Sequence, residues 1–349
     1  MSEPATTRSR VAVVATGGTI ASVRTGESGA VAVGMSVSKL LAGVGDAASV
    51  DVGLVEELAR VNGWNVDPDL MWRVAGAVHR FTSRPDVDGV VVTHGTDTVE
   101  ETAFLVDVLT ASDKPVVFTA AMRSADATSP DGPHNLMGAL RAAGSPALRG
   151  MGSVLCVNDD IHAARWARKT HSSRVDAFNS APGPIATVDP DGEVRRLRGP
   201  LERWTLHGVQ LGDVTPELVP VLHAYTGMSA LCSVADTDAV RGLVIEGFGV
   251  GNLPGALVEP IRELIERGVV VVVSTRVPQG GTWPVYGGPG SGTELASSGV
   301  LGAGTLSTGK ARLLLLACLA GHESGDATKT FQEAVEVLGR GNEGRSQWS

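Results

Sequence analysis

The sequence predicts an α/β protein of two domains, a larger N-terminal one built on a parallel sheet and a smaller C-terminal α/β one. Three observations carry this expectation. Apolar runs of strand length recur through the first half, and each stops at a polar loop before a helical stretch follows. The rhythm is lost once, between residues 183 and 215, and then resumes. At 349 residues the chain also exceeds the roughly 250–300 at which one core tends to divide.

The first run is VAVVAT (11–16), followed by GGT. GVVVT (89–93) leads into HGTDT, PVVFTA (115–120) into AMRSAD, and SVLCV (153–157) into NDD. Strands alternating with helices give a parallel sheet with right-handed crossovers, and such sheets bind ligands outside the carboxyl ends of the strands. All four loops are therefore expected at one rim, gathering Thr19, Thr96, Asp97 and the stretch after Asn158 into one site. Residues 183–215 carry Pro, Gly and charge and read as a linker between domains at 1–182 and 216–349. In the second domain GLVIEGFG (242–249) and VVVVVST (269–275) read as strands, and 257–267 and 310–319 as helices. The polar tail after Gly339 is expected to fray.

Composition excludes several partners. Lys and Arg total 29 against 38 Asp and Glu, a net charge of −9 without a basic run, which argues against nucleic acid and against an anionic membrane surface. No apolar run approaches the roughly 20 residues of a membrane span, and the opening MSEPATTRSR lacks the apolar core of a leader. A cytoplasmic protein with a small-molecule partner is expected. Cys156, Cys232 and Cys318 sit in apolar stretches and read as buried thiols. The eight histidines lack ligand spacing, so no metal site is expected.

The chemistry concentrates in the loops. Two glycines between Thr16 and Thr19 exceed what a turn needs and suit a loop that something approaches closely. A threonine hydroxyl is a weak nucleophile unless a base takes its proton and donors hold the oxyanion. Thr96 and Asp97 stand where a strand gives way to a helix, close to amides suited to negative charge. Capping of that helix is the competing explanation for both. The chain has five lysines and 24 arginines, so Lys169 in RWARKTHSS is unusual. Shielded and beside a carboxylate, a lysine can relay a proton, which an arginine cannot; a solvated helix lysine is the alternative. His94 reads as a structural imidazole, and Trp64 and Trp72 as core or cavity wall. GFGVGNLPG (247–255) lacks dinucleotide-loop spacing, and neither a Walker loop nor a GxSxG elbow is present.

ATGGTIAS (15–22), THGTDTVEETA (93–103), AAMRSADATSPDGPHNL (120–136) and ARKTHSS (167–173) occur in that order, followed by GFGVGNL, STRVPQGG and GKARLLLLACLA. In these motifs the sequence resembles the bacterial-type L-asparaginases. The resemblance implies an amidohydrolase without a cofactor, assembled as a homotetramer of paired dimers with sites at their interfaces. Its nominal reaction converts L-asparagine to L-aspartate and ammonia. By matching motif, Thr19 would be the nucleophile, and Thr96, Asp97 and Lys169 a proton-relaying group in which Thr96 also orients a water. The amides of Thr96 and Ala121 would face the oxyanion, and Gly18, Trp64, Asn65 and Asn252 fall at substrate-binding positions. The implied course runs through an acyl-threonine ester, loss of ammonia, and hydrolysis.

Three positions depart from the family pattern. A loop tyrosine is matched by Val31. The serine that holds the substrate's α-carboxylate is matched by Trp64, with Asn65 in place of glutamine, and a neighbouring subunit's glutamate is matched by Gly287. The expected consequence is weak use of free L-asparagine and better use of a bulkier or less charged amide. A binding homologue without activity is the alternative from another class.

Overall fold

The computed structural model describes residues 8–26, 29–42, 44, 48–208, 218–231, 239–320 and 324–340. The chain divides into two compact units after Leu201. In the first, β1 (Arg10–Gly17) is buried along nearly its whole length. A hairpin follows, β2 (Ser22–Thr25) and β3 (Ala30–Val33), then α1 (Val37–Ala42) and the long β4 (Asp51–Val61). Helix α2 (Pro68–Thr82) starts sharply because Asp67 accepts from Leu70 N at 2.8 Å and Pro68 opens the first turn. Strand β5 (Gly89–Thr93), α3 (Val99–Leu109), β6 (Val116–Thr119), α4 (Gly132–Gly144) and β7 (Ser153–Val157) complete the alternating part.

Five short strands precede the domain division. They are β8 (Asp160–Ala163), β9 (Arg168–Lys169), β10 (Phe178–Asn179), β11 (Ala186–Val188) and β12 (Val194–Arg196). The main sheet has eight strands in the order β12-β11-β8-β7-β6-β5-β1-β4. The five from β7 to β4 run parallel, and β8, β11 and β12 add antiparallel pairs at the other edge. Valine-rich β1, β5 and β6 lie in its middle, with helices against them, which is why they read as unbroken apolar runs.

Three expectations need correction. The first and fourth apolar runs lead into hairpins rather than directly into helices. The sheet is mixed at one edge, because a two-residue turn at Asn158 and Asp159, both at positive φ, reverses the chain after β7. The segment expected as a linker supplies β11 and β12 to the sheet, and residues 209–217 of it lie outside the described residues.

The second unit holds β13 (Val221–His223), β14 (Gly242–Gly247), α5 (Val258–Glu266), β15 (Val270–Thr275), α6 (Gly292–Ser297), β16 (Leu301–Gly302), α7 (Thr308–Leu319) and α8 (Ser324–Gly339). Its four strands are all parallel, in chain order. Helix α7 is buried along most of its length, Lys310 included; α8, beyond it, was not expected from the sequence. Cys156 and Cys318 are buried free thiols whose pKa burial pushes up to about 12, while Cys232, the first seven residues and the tail at 341–349 lie outside the described residues. Among the described residues no helix is long and apolar enough to cross a membrane.

Candidate active site

The carboxyl rim of the first sheet is assembled backbone against backbone. Gly18 adopts φ +81°, and a Cβ there would lie 2.4 Å from Gly95 Cα; one on Gly95 would lie 2.5 Å from Gly63 Cα. Loops after β1, β4 and β5 thus touch at a spacing only glycine permits. The contact is pinned by Gly18 N donating to Val61 O at 2.9 Å and by Thr98 Oγ1 donating to Gly63 O at 2.7 Å. The glycines that precede Thr19 are explained first by this packing of loop on loop.

The loop after β6 joins them. Ala125 N donates to Ser22 O at 2.8 Å and Arg24 N to Asp126 at 2.7 Å. Ala121 is buried, and the chain on either side of it is fixed: Asn135 Nδ2 donates to Ala120 O at 2.9 Å, and Asp131 accepts from the Met122 and Arg123 amides at 2.9 Å each. Asp131, Asn135, Gly63 and Gly95 were not singled out from the sequence as shaping this rim. The SPDGP turn cluster was the available signal for Asp131.

Lys169 brings the charge. Its Nζ donates to Thr96 Oγ1 at 2.9 Å and to Asp97 Oδ1 at 2.7 Å. The lysine stands on β9, not on a helix, and its side chain is 17 % exposed against 42 % for Asp97. Capping does not account for Asp97: Thr98 occupies the N-cap position of α3 and sends its hydroxyl to Gly63, while Asp97 pairs with Lys169. An ion pair with one partner this exposed contributes at most about 1 kcal/mol to stability, so stability alone is a weak reason for it.

Most hydroxyls around the rim are engaged, the buried Thr93 and the half-buried Thr19 excepted. Thr16 donates to Thr93 O at 3.1 Å, Ser22 to Gly18 O at 2.8 Å and Thr119 to Cys156 O at 2.9 Å, and Thr96 accepts from Lys169. The half-buried Thr19 hydroxyl has no protein partner among the described residues. His94 is fully buried beneath the rim, its Nδ1 2.9 Å from Gly95 O and its Nε2 3.0 Å from Thr102 Oγ1. Because a carbonyl only accepts, Nδ1 is assigned the proton, and burial lowers the imidazole's pKa to about 4. It is a neutral spacer that fixes the Gly95 carbonyl.

Trp64 is not core: it is 66 % exposed on the single turn Gly63–Asn65, where Gly63 takes the interior position and Asn65 is exposed too. Trp72, by contrast, is buried on α2. Val31 is exposed on β3. Asn252 belongs to the second unit, where its Oδ1 accepts from Gly292 N at 3.1 Å at the start of α6, and Gly287 in that unit faces open space.

Comparison with known proteins fits this geometry. Residues 10–200 match the protein-family model described as "Asparaginase, N-terminal" and 218–331 the one described as "Glutaminase/Asparaginase C-terminal domain". The chain is 32 % identical to L-asparaginase 2 of Bacillus subtilis over 318 residues, covering 88 % of this chain and 82 % of that one. It is 37 % identical to a probable L-asparaginase of Deinococcus radiodurans over 275 residues, 78 % of this chain and 83 % of that one. The crystal structure of a probable cytoplasmic L-asparaginase from Campylobacter jejuni superposes with a TM-score of 0.80 at 30 % identity, covering 94 % of this chain and 99 % of the other. The chain therefore belongs to the asparaginase family of amidohydrolases.

Proposed function

We propose that the chain hydrolyses the side-chain amide of L-asparagine to L-aspartate and ammonia through an ester on Thr19. The observation that carries this reading is a threonine hydroxyl free of protein partners, Thr19, in a loop that touches the one carrying Thr96, Asp97 and the bound Lys169 ammonium. The substrate rests on the names of the Bacillus and Deinococcus relatives. Thr19 Oγ attacks the amide carbon as its proton passes to the amide nitrogen. The Thr96 and Ala121 amides, neither of which donates to a backbone carbonyl among the described residues, face the oxyanion. Ammonia leaves, and a water oriented by Thr96 hydrolyses the ester and restores the Thr19 proton. Lys169, held by Asp97, moves protons through the Thr96 hydroxyl, whose oxygen accepts from Nζ and whose own hydrogen stays free to bond onward. Gly18, Trp64 and Asn65 lie on the substrate side of the rim.

Ammonia release by Thr19→Ala is the test: turnover should fall by about 10³-fold or more with an unchanged circular-dichroism spectrum. A variant keeping a tenth of the activity would exclude Thr19 as nucleophile. Against the weak use expected from Val31, Trp64 and Gly287, the names of the relatives favour L-asparagine, so specificity constants for L-asparagine, L-glutamine and N-acylated, decarboxylated and aryl amides should place L-asparagine first. A larger value for another amide would mean that Val31, Trp64 and Gly287 have redirected specificity. We propose further that the enzyme is a cytoplasmic homotetramer, which light scattering and cell fractionation check.

A further inference from the structure

Lys169 reaches the rim from a strand of two residues, β9, whose ladder joins β10 and lies outside the eight-stranded sheet. Phe178 stands opposite Lys169, and the next residue, Thr170, donates its amide to Ala177 O at 2.7 Å. Along an antiparallel ladder, hydrogen-bonded and non-bonded pairs alternate. Lys169 and Phe178 are therefore a non-bonded pair, and the Lys169 amide faces away from β10. Glu100 meets it there, its Oε2 accepting from Lys169 N.

Glu100 lies in the first turn of α3, on the same short stretch as Thr96 and Asp97. Residues 96–100 thus hold Lys169 at both ends: two side chains take the ammonium and a third takes the backbone amide at the root of the same side chain. Compensation of the helix dipole would account for an acid in this turn, but not for its bond to an amide 69 positions further along the chain. A lysine side chain is long and loses considerable rotamer freedom when its head is held. Fixing its root to the segment that carries its partners makes the reach of Nζ a local property of five residues.

We infer that Glu100 is a positioning residue that sets the placement of Lys169 Nζ between Thr96 and Asp97. The inference rests on the relay role proposed for Lys169. It predicts that the acceptor oxygen of Glu100 matters rather than its charge. Glutamine keeps an acceptor of the same length, and alanine removes it.

The test measures kcat and KM for L-asparagine, with thermal melts, in Glu100→Gln, Glu100→Ala, Lys169→Met and the double variant Glu100→Ala/Lys169→Met. Glu100→Ala should lower kcat by about 10- to 10²-fold with KM little changed, the scale of a catalytic group displaced by about 1 Å. Glu100→Gln should restore kcat to within about threefold of the parent, and in the Lys169→Met background Glu100→Ala should cost nothing further, since the two act as one unit. Parent-like kcat in Glu100→Ala beside a disabled Lys169→Met would overturn this inference alone. So would a loss of equal size in both backgrounds, or a Glu100→Gln as impaired as Glu100→Ala. Full kcat in Lys169→Met would overturn the relay, and this inference with it.

Discussion

Both units are built around parallel strands with Gly-rich loops at their carboxyl ends, yet they treat the polar groups there differently. In the second, Glu246 at the end of β14 accepts from Thr308 at 2.6 Å and lies 2.6 Å from His223 Nδ1. Ser274 reaches Thr308 at 3.0 Å, and Thr275 donates to Gly249 O at 2.5 Å. Each of these hydroxyls is bound within its own unit. In the first, Thr16, Ser22, Thr96 and Thr119 are likewise bound, but Thr19 and the buried Thr93 are not, and a lysine ammonium is held in the adjoining loops. Glycine at a strand end therefore marks close packing in both units. What separates the first rim from the second is a lysine ammonium, held by Thr96 and Asp97, in contact with the loop of an unbound threonine, Thr19.

Four substitutions or titrations can break or sharpen this contrast. The largest effect belongs to Gly18→Ala, whose methyl would meet backbone at 2.4 Å and at positive φ. It should destabilise by more than about 4 kcal/mol and abolish ammonia release. Gly268→Ala is the control from the second unit, at φ +86° with nothing within 4 Å, and should cost only about 1–2 kcal/mol in denaturant melts with kcat unchanged. Equal costs at the two positions would remove the argument for loop-on-loop packing.

Next comes pH. Burial depresses both His94 and His162, in the first unit, from an ordinary 6.5 to about 4. Between those values the unfolded chain binds protons that the folded chain does not, so their contribution is complete above pH 6.5 and is lost as pH falls toward 4. The loss should approach about 3 kcal/mol per histidine at about 1.36 kcal/mol per pH unit, and His94→Asn should flatten the slope measured by urea unfolding. A slope unchanged by that substitution would show that His94 does not titrate in this way.

Smaller still, Thr308→Val removes the hydroxyl shared by Glu246 and Ser274 in the second unit. It should cost about 1–3 kcal/mol of stability and leave kcat alone. A loss of kcat without a loss of stability would make the second rim catalytic as well. The smallest change is expected from Trp64→Ala, exposed and beside Gly63: melts should move by less than about 0.5 kcal/mol, with any functional effect confined to KM.

These contrasts also explain what was legible in the sequence. β1, β5, β6 and β7 are buried on both faces, so their composition alone reveals them. β4 was missed because it is an edge strand whose Glu56, Glu57 and Arg60 make exposed ion pairs, leaving no clean alternation. β11 and β12 have three residues each, set among Pro, Gly and charge, which is the composition of a linker. Thr19, Thr96, Asp97 and Lys169 were visible by residue type and order. Gly63, Gly95 and Glu100 were not, because what makes them matter is a contact with another loop. Trp64 misled because an apolar residue type points inward by default, whereas here Gly63 holds the inner position.

The most direct measurement is a rapid acid quench of the enzyme turning over L-asparagine, followed by mass spectrometry of its peptides. An aspartyl ester on the peptide carrying Thr19, absent from Thr19→Ala, is the predicted result. An ester on Thr96 instead, or turnover by Thr19→Ala within about tenfold of the parent, would contradict the assignment of Thr19 as the nucleophile.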